Sequence, residues 1–365
     1  MIYDLIVIGA GPGGCASAIT AARAGMRVLL LERGHYPRQR VCGEFVSAEA
    51  LELLAGLLSS DNLGLVKSSP KISQSRVFAD DCVLNLPINP AASSIPRFDM
   101  DRALWESCLL AKVDGHQSSV VQSVDGEGPF VVTTSMGVFR SPTLVNAAGR
   151  WSFLTNSKIR DGAGAEPWVG IKAHFFEADP SATVDLYFFK GGYCGVQPVV
   201  LPDLNHSQGV VNACAMVKAK VATELIKVLN LHPALRCRSQ SWRAATDQVR
   251  TSPLIFHKPE PVQRRILQVG DAATFVDPFV GDGISLALRS GVLAAECLLE
   301  HLGGAPLSGV ATKYETLYMR RLAPVFRAST VLRTFLRVPK LIRGPSLSVL
   351  RHAPFITRHM VRMTR

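Results

Sequence analysis

The sequence lacks clustered cysteines. Its 365 residues include eight cysteines, which are scattered without a Cys-x-x-Cys pair or a His/Cys cluster. This distribution indicates reduced thiols and no structural zinc site.

Long apolar runs and a leader-like start are also missing. No uninterrupted apolar stretch reaches about 18 residues, and no basic segment precedes the first apolar run. We therefore expect neither a signal peptide nor a membrane-spanning helix, and we expect a cytoplasmic protein.

Acidic residues are absent from the end of the chain. Residues 316–365 hold eleven Lys and Arg and no Asp or Glu, which equals the formal net charge of +11 for the whole chain. Prolines divide this stretch into short basic amphipathic segments, which suit the inner face of an anionic membrane at about 1 kcal/mol per cation. The alternative is a solvated helical cap. We expect no nucleic-acid partner, because no binding motif or interleaved aromatic residues accompany the charge.

What is present begins with a glycine-rich turn near the start. Residues 3–8 are an apolar run long enough for one buried parallel strand, and they lead into GAGPGG. Gly9 allows the tight bend, Gly11 lets a pyrophosphate approach the backbone, and Gly14 lets the next helix pack closely. Pro12 lies in the same turn. The pattern predicts a nucleotide site, and the alternative is an ordinary tight turn of an α/β unit.

The rest of the unit follows in order. Residues 16–24 predict a helix whose N-terminal amides face the anion, and residues 27–31 predict a second strand. Glu32, at the tip of that strand, is expected to accept both ribose hydroxyls of an adenosine. The adjacent Arg33 is a further candidate cofactor contact.

A second cofactor segment follows a predicted strand at residues 266–269. Gly270 and Asp271 end that strand, which places a carboxylate where it can accept hydrogen bonds from ribitol hydroxyls. Gly281 and Gly283 then bring the N-terminus of a long helix against the ligand, where its dipole would stabilise the negative charge of a reduced isoalloxazine ring. Pro278 belongs to the same segment.

Two stretches in between also point to the cofactor. Residues 145–152 predict a strand that runs into a turn at Gly149. Arg97 opens a predicted helix and is placed to reach the pyrophosphate or the flavin edge; taken alone, such an arginine is more often a surface ion-pair partner.

Together these motifs resemble the p-hydroxybenzoate-hydroxylase-like FAD superfamily, in its branch of geranylgeranyl reductases and related oxidoreductases. The resemblance covers residues 1 to 300 and is strongest in GAGPGG with Glu32, in RVCGEF at residues 40–45, in NAAGRWS and in GDAATFVDPFVGDGISLAL. It implies FAD held by Gly9, Gly11, Gly14, Glu32, Arg97 and Asp271. It also implies Arg40 near the cofactor and a backbone contact from Val121 to the adenine.

The implied fold class is α/β with an α+β substrate part. We predict a Rossmann-like FAD domain with a parallel sheet, interleaved with an antiparallel substrate domain and followed by C-terminal helices. The predicted boundaries are 1–65, 95–160 and 255–302 for the FAD domain, 66–94 and 161–254 for the substrate domain, and 303–365 for the basic extension.

Four residues are candidates for chemistry. The resemblance places Cys42 near the flavin ring, and Arg38, Arg40 and Gly43 around it predict an electropositive loop that favours the thiolate; a buried, inert thiol is the alternative. Lys172 and His174 alternate on one face of a predicted strand, either lining the pocket, with His174 as a proton donor, or forming a polar outer face. Tyr193 follows a Gly-Gly turn where the reductases carry a Tyr motif, although Gly195 and Gln197 replace its aromatic residues.

These features predict an FAD-dependent reductase acting on a hydrophobic prenyl, lipid or polyketide-like substrate. NAD(P)H or another reduced carrier would be a transient donor, since no second GxGxxG unit follows. The alternatives are an FAD-dependent monooxygenase that uses NAD(P)H and O2 on an aromatic or lipidic compound, and a low-turnover flavin-binding sensor at the membrane. A flavin halogenase is disfavoured because a Trp-x-Trp-x-Ile-Pro signature is missing.

Overall fold

The computed structural model describes residues 3–150, 167–202, 209–254, 256, 258–275, 277, 279 and 281–326. Its strands, in chain order, are β1 (Leu5–Ile8), β2 (Val28–Leu31), β3 (Phe45–Val46), β4 (Lys71–Ala79), β5 (Cys82–Ser94), β6 (Asp114–His116), β7 (Val121–Asp125), β8 (Phe130–Thr134), β9 (Gly137–Ser141), β10 (Thr143–Asn146), β11 (Trp168–Phe176), β12 (Thr183–Phe189), β13 (Gly192–Val199), β14 (Val210–Lys218), β15 (Arg243–Ala244), β16 (Val249–Leu254), β17 (Val262–Gln263) and β18 (Ile266–Gln268). Its α-helices are α1 (Pro12–Arg23), α2 (Ala48–Leu57), α3 (Gly64–Lys67), α4 (Arg97–Leu110), α5 (Leu225–Leu229), α6 (Pro233–Arg238), α7 (Gly283–Leu302) and α8 (Leu307–Arg321).

A six-stranded sheet forms the first layer. Its order is β17-β18-β10-β1-β2-β6, and every pairing is parallel except that of β17 with β18. Strands β1, β2 and β10 are buried along their whole length. Continuous burial explains why they read as apolar runs rather than as alternating ones.

Helices α1 and α7 pack against each other through glycine. A Cβ on Gly291 would lie 2.2 Å from the carbonyl oxygen of Gly13, and the hydroxyl of Ser17 donates to the Gly291 carbonyl at 2.8 Å. Only glycine permits this approach, which holds the late helix α7 on the first helix of the chain.

A nine-stranded sheet forms the second body. Its order is β15-β11-β14-β13-β12-β4-β5-β3, with β16 also on β11, and only β4 and β12 run parallel. One surface, the back face, carries Ile171 and Tyr187 and is packed under α5 and α6. The other, the front face, carries Lys172, His174 and Tyr193 and is turned toward residues 39–44 and the segment after β18.

A small antiparallel sheet, β7-β8-β9, completes the strands described. Helix α8 packs on the first layer, where Tyr314 is fully buried and its hydroxyl donates to the Gln268 carbonyl at 2.8 Å. Residues 327–365, with most of the basic segment, lie outside the described residues. The predicted domain boundaries therefore stay a prediction.

The predicted fold class is confirmed, since the strands of a mostly parallel sheet and those of a largely antiparallel sheet alternate along the chain. The Gly191 turn between β12 and β13 is also as predicted, with φ +92°. Among the helices that the structure describes, none combines the length and the apolar character needed to cross a bilayer.

Candidate cofactor and active site

The glycine-rich turn joins β1 to α1 and depends on glycine at two points. Gly9 has φ +98°, and a Cβ there would lie 2.4 Å from the Ala147 carbonyl oxygen. A Cβ on Gly14 would lie 1.8 Å from the Gly9 carbonyl oxygen. Gly11 is different, because no atom lies within 4 Å of the place where its Cβ would be. The turn therefore presents a bare backbone at the N-terminus of α1, where Pro12 is the first residue.

Glu32 lies just beyond β2 with 4 % of its surface exposed. Its carboxylate accepts hydrogen bonds from the Ala10 and Gly34 backbone N–H groups, at 3.0 and 2.8 Å, and from Arg38 at 2.7 Å. Burial by itself raises the pKa of Glu32, but Arg38 and these N–H groups outweigh it and lower the pKa. An ionised acceptor thus stands where a ribose is predicted, and its contact with the ribose stays a prediction.

The loop after β2 holds two arginines with unused donors. The Nε atoms of Arg38 and Arg40 are buried and have no hydrogen-bond partner among the described residues. Burial, with Arg38 and Arg97 nearby, lowers the pKa of Arg40. Buried donors of a cation need an acceptor, so this cluster fits an anionic group such as a diphosphate. Arg33, in contrast, is exposed.

Arg97 opens α4, as predicted, and its guanidinium forms a bidentate ion pair with Asp101, with both N···O distances at 2.8 Å. This is the ion-pair alternative considered for such an arginine. The predicted contact of Arg97 with the cofactor stays a prediction.

Two further glycines have a left-handed backbone near the predicted site: Gly149, after β10, with φ +75°, and Gly270, in the second cofactor segment, with φ +56°. Space is open around the Cβ positions of Gly149 and of Gly283, the first residue of α7. Asp271 is partly exposed, with a carboxylate oxygen 3.7 Å from Nε of Arg150. Pro278 lies outside the described residues.

Two further predicted cofactor residues are Gly281, on the flavin side, and Val121, on the adenine side. Gly281 has φ +78°, and a Cβ there would lie 2.9 Å from the ring of Phe45. Val121 begins β7, two residues after Ser119, whose N–H donates to the Glu32 carbonyl at 2.9 Å. The adenine contact of Val121 stays a prediction.

Glu44 is the site residue that sequence reasoning missed. Its carboxylate is fully buried and accepts from Lys172 Nζ at 2.5 Å, from His174 Nε2 at 2.9 Å and from the Arg97 N–H at 3.0 Å. Burial raises the pKa of Glu44, but Lys172, and then His174, lower it to about 2. The signal in the sequence was Lys172 itself, because a lysine inside an apolar strand needs a buried counterion.

Lys172 and His174 do share one face, as predicted, but that face is not solvated. Their exposures are 1 % and 0 %. Lys172 also donates to the side-chain oxygen of Gln39 at 3.0 Å, and Nδ1 of His174 is 3.2 Å from the hydroxyl of Thr246. The polar outer face considered above is therefore wrong, since both side chains bind Glu44 within the protein.

Asn212 holds the same loop from the neighbouring strand β14. Its side-chain N–H groups donate to the carbonyls of Cys42 at 3.1 Å and of Gly43 at 2.9 Å. Asn212 pairs with His174 across β11 and β14. Two adjacent strands of the front face thus bind three consecutive residues of one loop.

The surroundings of Cys42 disfavour the predicted thiolate. Burial raises the pKa of this thiol, and the nearby Arg97 only partly opposes that effect. The sulfur accepts a hydrogen bond from the Glu44 N–H at 3.3 Å. Cys42 is partly exposed, and its role near the flavin stays a prediction.

Tyr193 belongs to an aromatic cluster on the front face. Its ring is 5.5 Å from that of Phe188 and 5.8 Å from that of Phe279, centroid to centroid. Phe275 and Trp168 pack on the same cluster and are partly exposed, as is Phe188. Burial raises the pKa of Tyr193 well above its ordinary value. Apolar surface thus meets the second cofactor segment, which supplies Phe275 and Phe279.

Comparison with known proteins agrees with this geometry. Residues 4–56 match the model of the family described as FAD dependent oxidoreductase. The chain is 25 % identical to a menaquinone reductase of Mycolicibacterium smegmatis, over 97 % of this chain and 89 % of that protein. It is 27 % identical to digeranylgeranylglycerophospholipid reductase 2 of Methanopyrus kandleri, over 82 % and 78 % of the two chains.

The similarity also extends to halogenases. The chain is 24 % identical to a 1H-pyrrole-2-carbonyl-[peptidyl-carrier protein] brominase of Pseudoalteromonas luteoviolacea, over 83 % of this chain and 78 % of that protein. A solved flavin-dependent brominase has the same fold, with a TM-score of 0.82 at 20 % identity over 100 % and 93 % of the two chains. These matches indicate an FAD-dependent oxidoreductase whose sequence is similar both to lipid reductases and to a halogenase.

Proposed function

We propose that this enzyme is a reductase that hydrogenates a carbon–carbon double bond in a hydrophobic substrate of the prenyl, lipid or polyketide class. The observation that carries the proposal is the partly exposed aromatic cluster around Tyr193, which adjoins the second cofactor segment. Such a surface favours an apolar chain over a polar metabolite. The menaquinone and digeranylgeranylglycerophospholipid reductases support the same class.

FAD, once reduced by NAD(P)H or another reduced carrier, would supply the hydride for such a reaction. Saturating one double bond takes one hydride and one proton. The protein must therefore supply the proton and shield the reacting carbons from water.

Tyr193 is the proposed proton donor. Its hydroxyl is kept protonated by burial, and its ring lies in the aromatic cluster that would hold the substrate. Lys172 and His174 are less suited, because Glu44 binds a nitrogen of each.

The test is a single-turnover reduction without oxygen. The FAD-loaded enzyme is reduced with dithionite, mixed with a polyprenyl lipid, and followed by flavin reoxidation and product mass. We expect a gain of two hydrogens, slowed about 100-fold in Tyr193→Phe. Tyr187→Phe is the matched control, because Tyr187 is buried on the back face of the same sheet. Equal reduction rates in the two variants would contradict the role of Tyr193 as proton donor. If no apolar alkene reoxidises the reduced flavin, the proposed reductase function is contradicted.

A halogenase is the second candidate, and the brominase relative favours it. The same reduced enzyme is exposed to air with and without bromide and an aromatic substrate. A product heavier by one bromine in place of one hydrogen supports this candidate. A gain of one oxygen atom that needs air but no halide supports the monooxygenase instead.

We also propose that the basic segment at residues 316–365 binds an anionic lipid surface, which would bring the enzyme to an apolar substrate. Its eleven cations and lack of acidic residues support this. Cosedimentation with phosphatidylglycerol vesicles that weakens in high salt is expected. Equal sedimentation with phosphatidylcholine vesicles, or none with either, contradicts it.

A further inference from the structure

Two strands of the nine-stranded sheet bind the loop at residues 42–44. Strand β11 binds the Glu44 carboxylate through Lys172 and His174. Strand β14 binds the carbonyls of Cys42 and Gly43 through Asn212. All the side chains that make these contacts are at least nine-tenths buried, so water does not compete for the bonds.

The backbone conformation of Glu44 in this loop is unfavourable. Glu44 has φ +63°, a left-handed conformation that costs a non-glycine residue on the order of 1–3 kcal/mol. A glycine would adopt it freely, so the carboxylate is present for what it binds. The Lys172 ion pair, the His174 hydrogen bond and the Arg97 N–H supply the compensating contacts.

The opposite side of the loop is bare. Gly43 is exposed, and no atom lies within 4 Å of where its Cβ would be. Phe45, two residues on, packs against Gly281 of the second cofactor segment. The loop is therefore fixed from behind by the front face, while its side-chain-free surface opens beside the predicted flavin site.

We propose that Glu44 is a positioning residue, which, with Lys172, His174 and Asn212, fixes the Cys42–Gly43 main chain against the isoalloxazine ring of bound FAD. Lys172 and His174 act through this carboxylate rather than on the substrate. The front face thereby couples the sheet that would hold the substrate to the cofactor. This inference depends on FAD binding but not on the identity of the substrate.

The experiment measures hydrogen exchange of residues 38–46 and the visible spectrum of FAD in the loaded enzyme. Glu44→Gln and Asn212→Ala are each expected to speed exchange of the loop amides about tenfold and to shift the flavin absorption band. Asp185→Asn is the matched control, because Asp185 is an equally buried, ion-paired carboxylate on the back face. It should leave both readouts unchanged.

If Glu44→Gln does not fold, the double variant Glu44→Gln/Lys172→Met replaces it, because no charge is then buried alone. Normal exchange and an unchanged spectrum in the Glu44 variant overturn the proposal, as does an equal effect in Asp185→Asn. A wild-type protein that takes up no FAD also overturns it. A wild-type protein that binds FAD but reduces no alkene contradicts only the proposed reductase.

Discussion

The front and back faces of the nine-stranded sheet each bury one carboxylate among cations, in different ways. On the back face, Asp185 accepts from Arg76 and Arg238, which are 32 % and 14 % exposed. On the front face, the main cationic partner of Glu44 is Lys172, which is 1 % exposed. The back-face cations can turn toward water if their partner is lost, and Lys172 cannot.

The two carboxylates also differ in what they join. Asp185 binds residues of its own sheet, including Thr183 and Tyr187 of the same strand. Glu44 comes from the loop after the glycine-rich unit and is bound by a strand more than a hundred residues later. Burial of a charge alone therefore does not identify a functional position, whereas the parts of the chain that it connects do.

The largest expected effect is on stability. Glu44→Ala leaves Lys172 as an uncompensated buried charge, which costs about 3–5 kcal/mol. Asp185→Ala should cost less, about 1–3 kcal/mol, because its arginines can reach solvent. Urea denaturation of the two variants measures the difference, and equal losses would break the comparison.

A double variant tests whether the stability loss at Glu44 is electrostatic. Glu44→Gln/Lys172→Met removes both charges and is expected to unfold within about 1 kcal/mol of the wild type, since neutral replacement of a buried ion pair is often tolerated. The urea midpoint of the double variant should thus exceed that of Glu44→Gln alone. If the two midpoints coincide, the loss in the single variant is not electrostatic.

The arginine comparison in the cofactor site predicts a binding effect. Arg40→Met removes a half-buried cation whose buried Nε has no partner among the described residues, and it should weaken FAD binding about tenfold or more. Arg33→Met changes an exposed side chain and should have little effect. Fluorescence titration of the apoprotein with FAD gives both constants. Equal affinities of the two variants for FAD would contradict a contact between Arg40 and the diphosphate.

Acid should act on the front face through Glu44. Its folded pKa of about 2 lies below the ordinary 4.5, so its stabilisation is complete above pH 4.5 and is lost as the pH falls toward 2. The stability difference between wild type and Glu44→Gln should therefore shrink only in that range. Urea titrations at several pH values test this, and a difference that already shrinks near neutrality would contradict it.

The smallest effect is expected on the back face, where His232 caps α6 by accepting from the Ala234 N–H at 3.2 Å. Burial lowers the pKa of His232 below its ordinary 6.5, so the neutral form is favoured and its contribution is lost as the pH falls below that value. His232→Asn keeps a capping acceptor and should remove this dependence, worth about 0.5 kcal/mol. The same urea series measures it.

The fold was predictable where the pattern is local. Apolar runs of buried strands and a glycine turn specify β1, α1 and β2, and the hairpin at Gly191 needs only its own residues. The site was less predictable because its contacts join distant segments. The pairing of Arg97 with Asp101 is the exception, because the two residues lie one helical turn apart. Glu44 gains its role only when β11 is placed beside it.

The contact between Gly13 and Gly291 has a consequence for synthesis of the chain. The first helix of the nucleotide unit emerges from the ribosome early, yet the surface that covers it is supplied by α7, some 270 residues later. An N-terminal fragment that contains the glycine turn but lacks α7 therefore cannot assemble the cofactor pocket. A newly made polypeptide must wait for its last third before it can become a coloured protein.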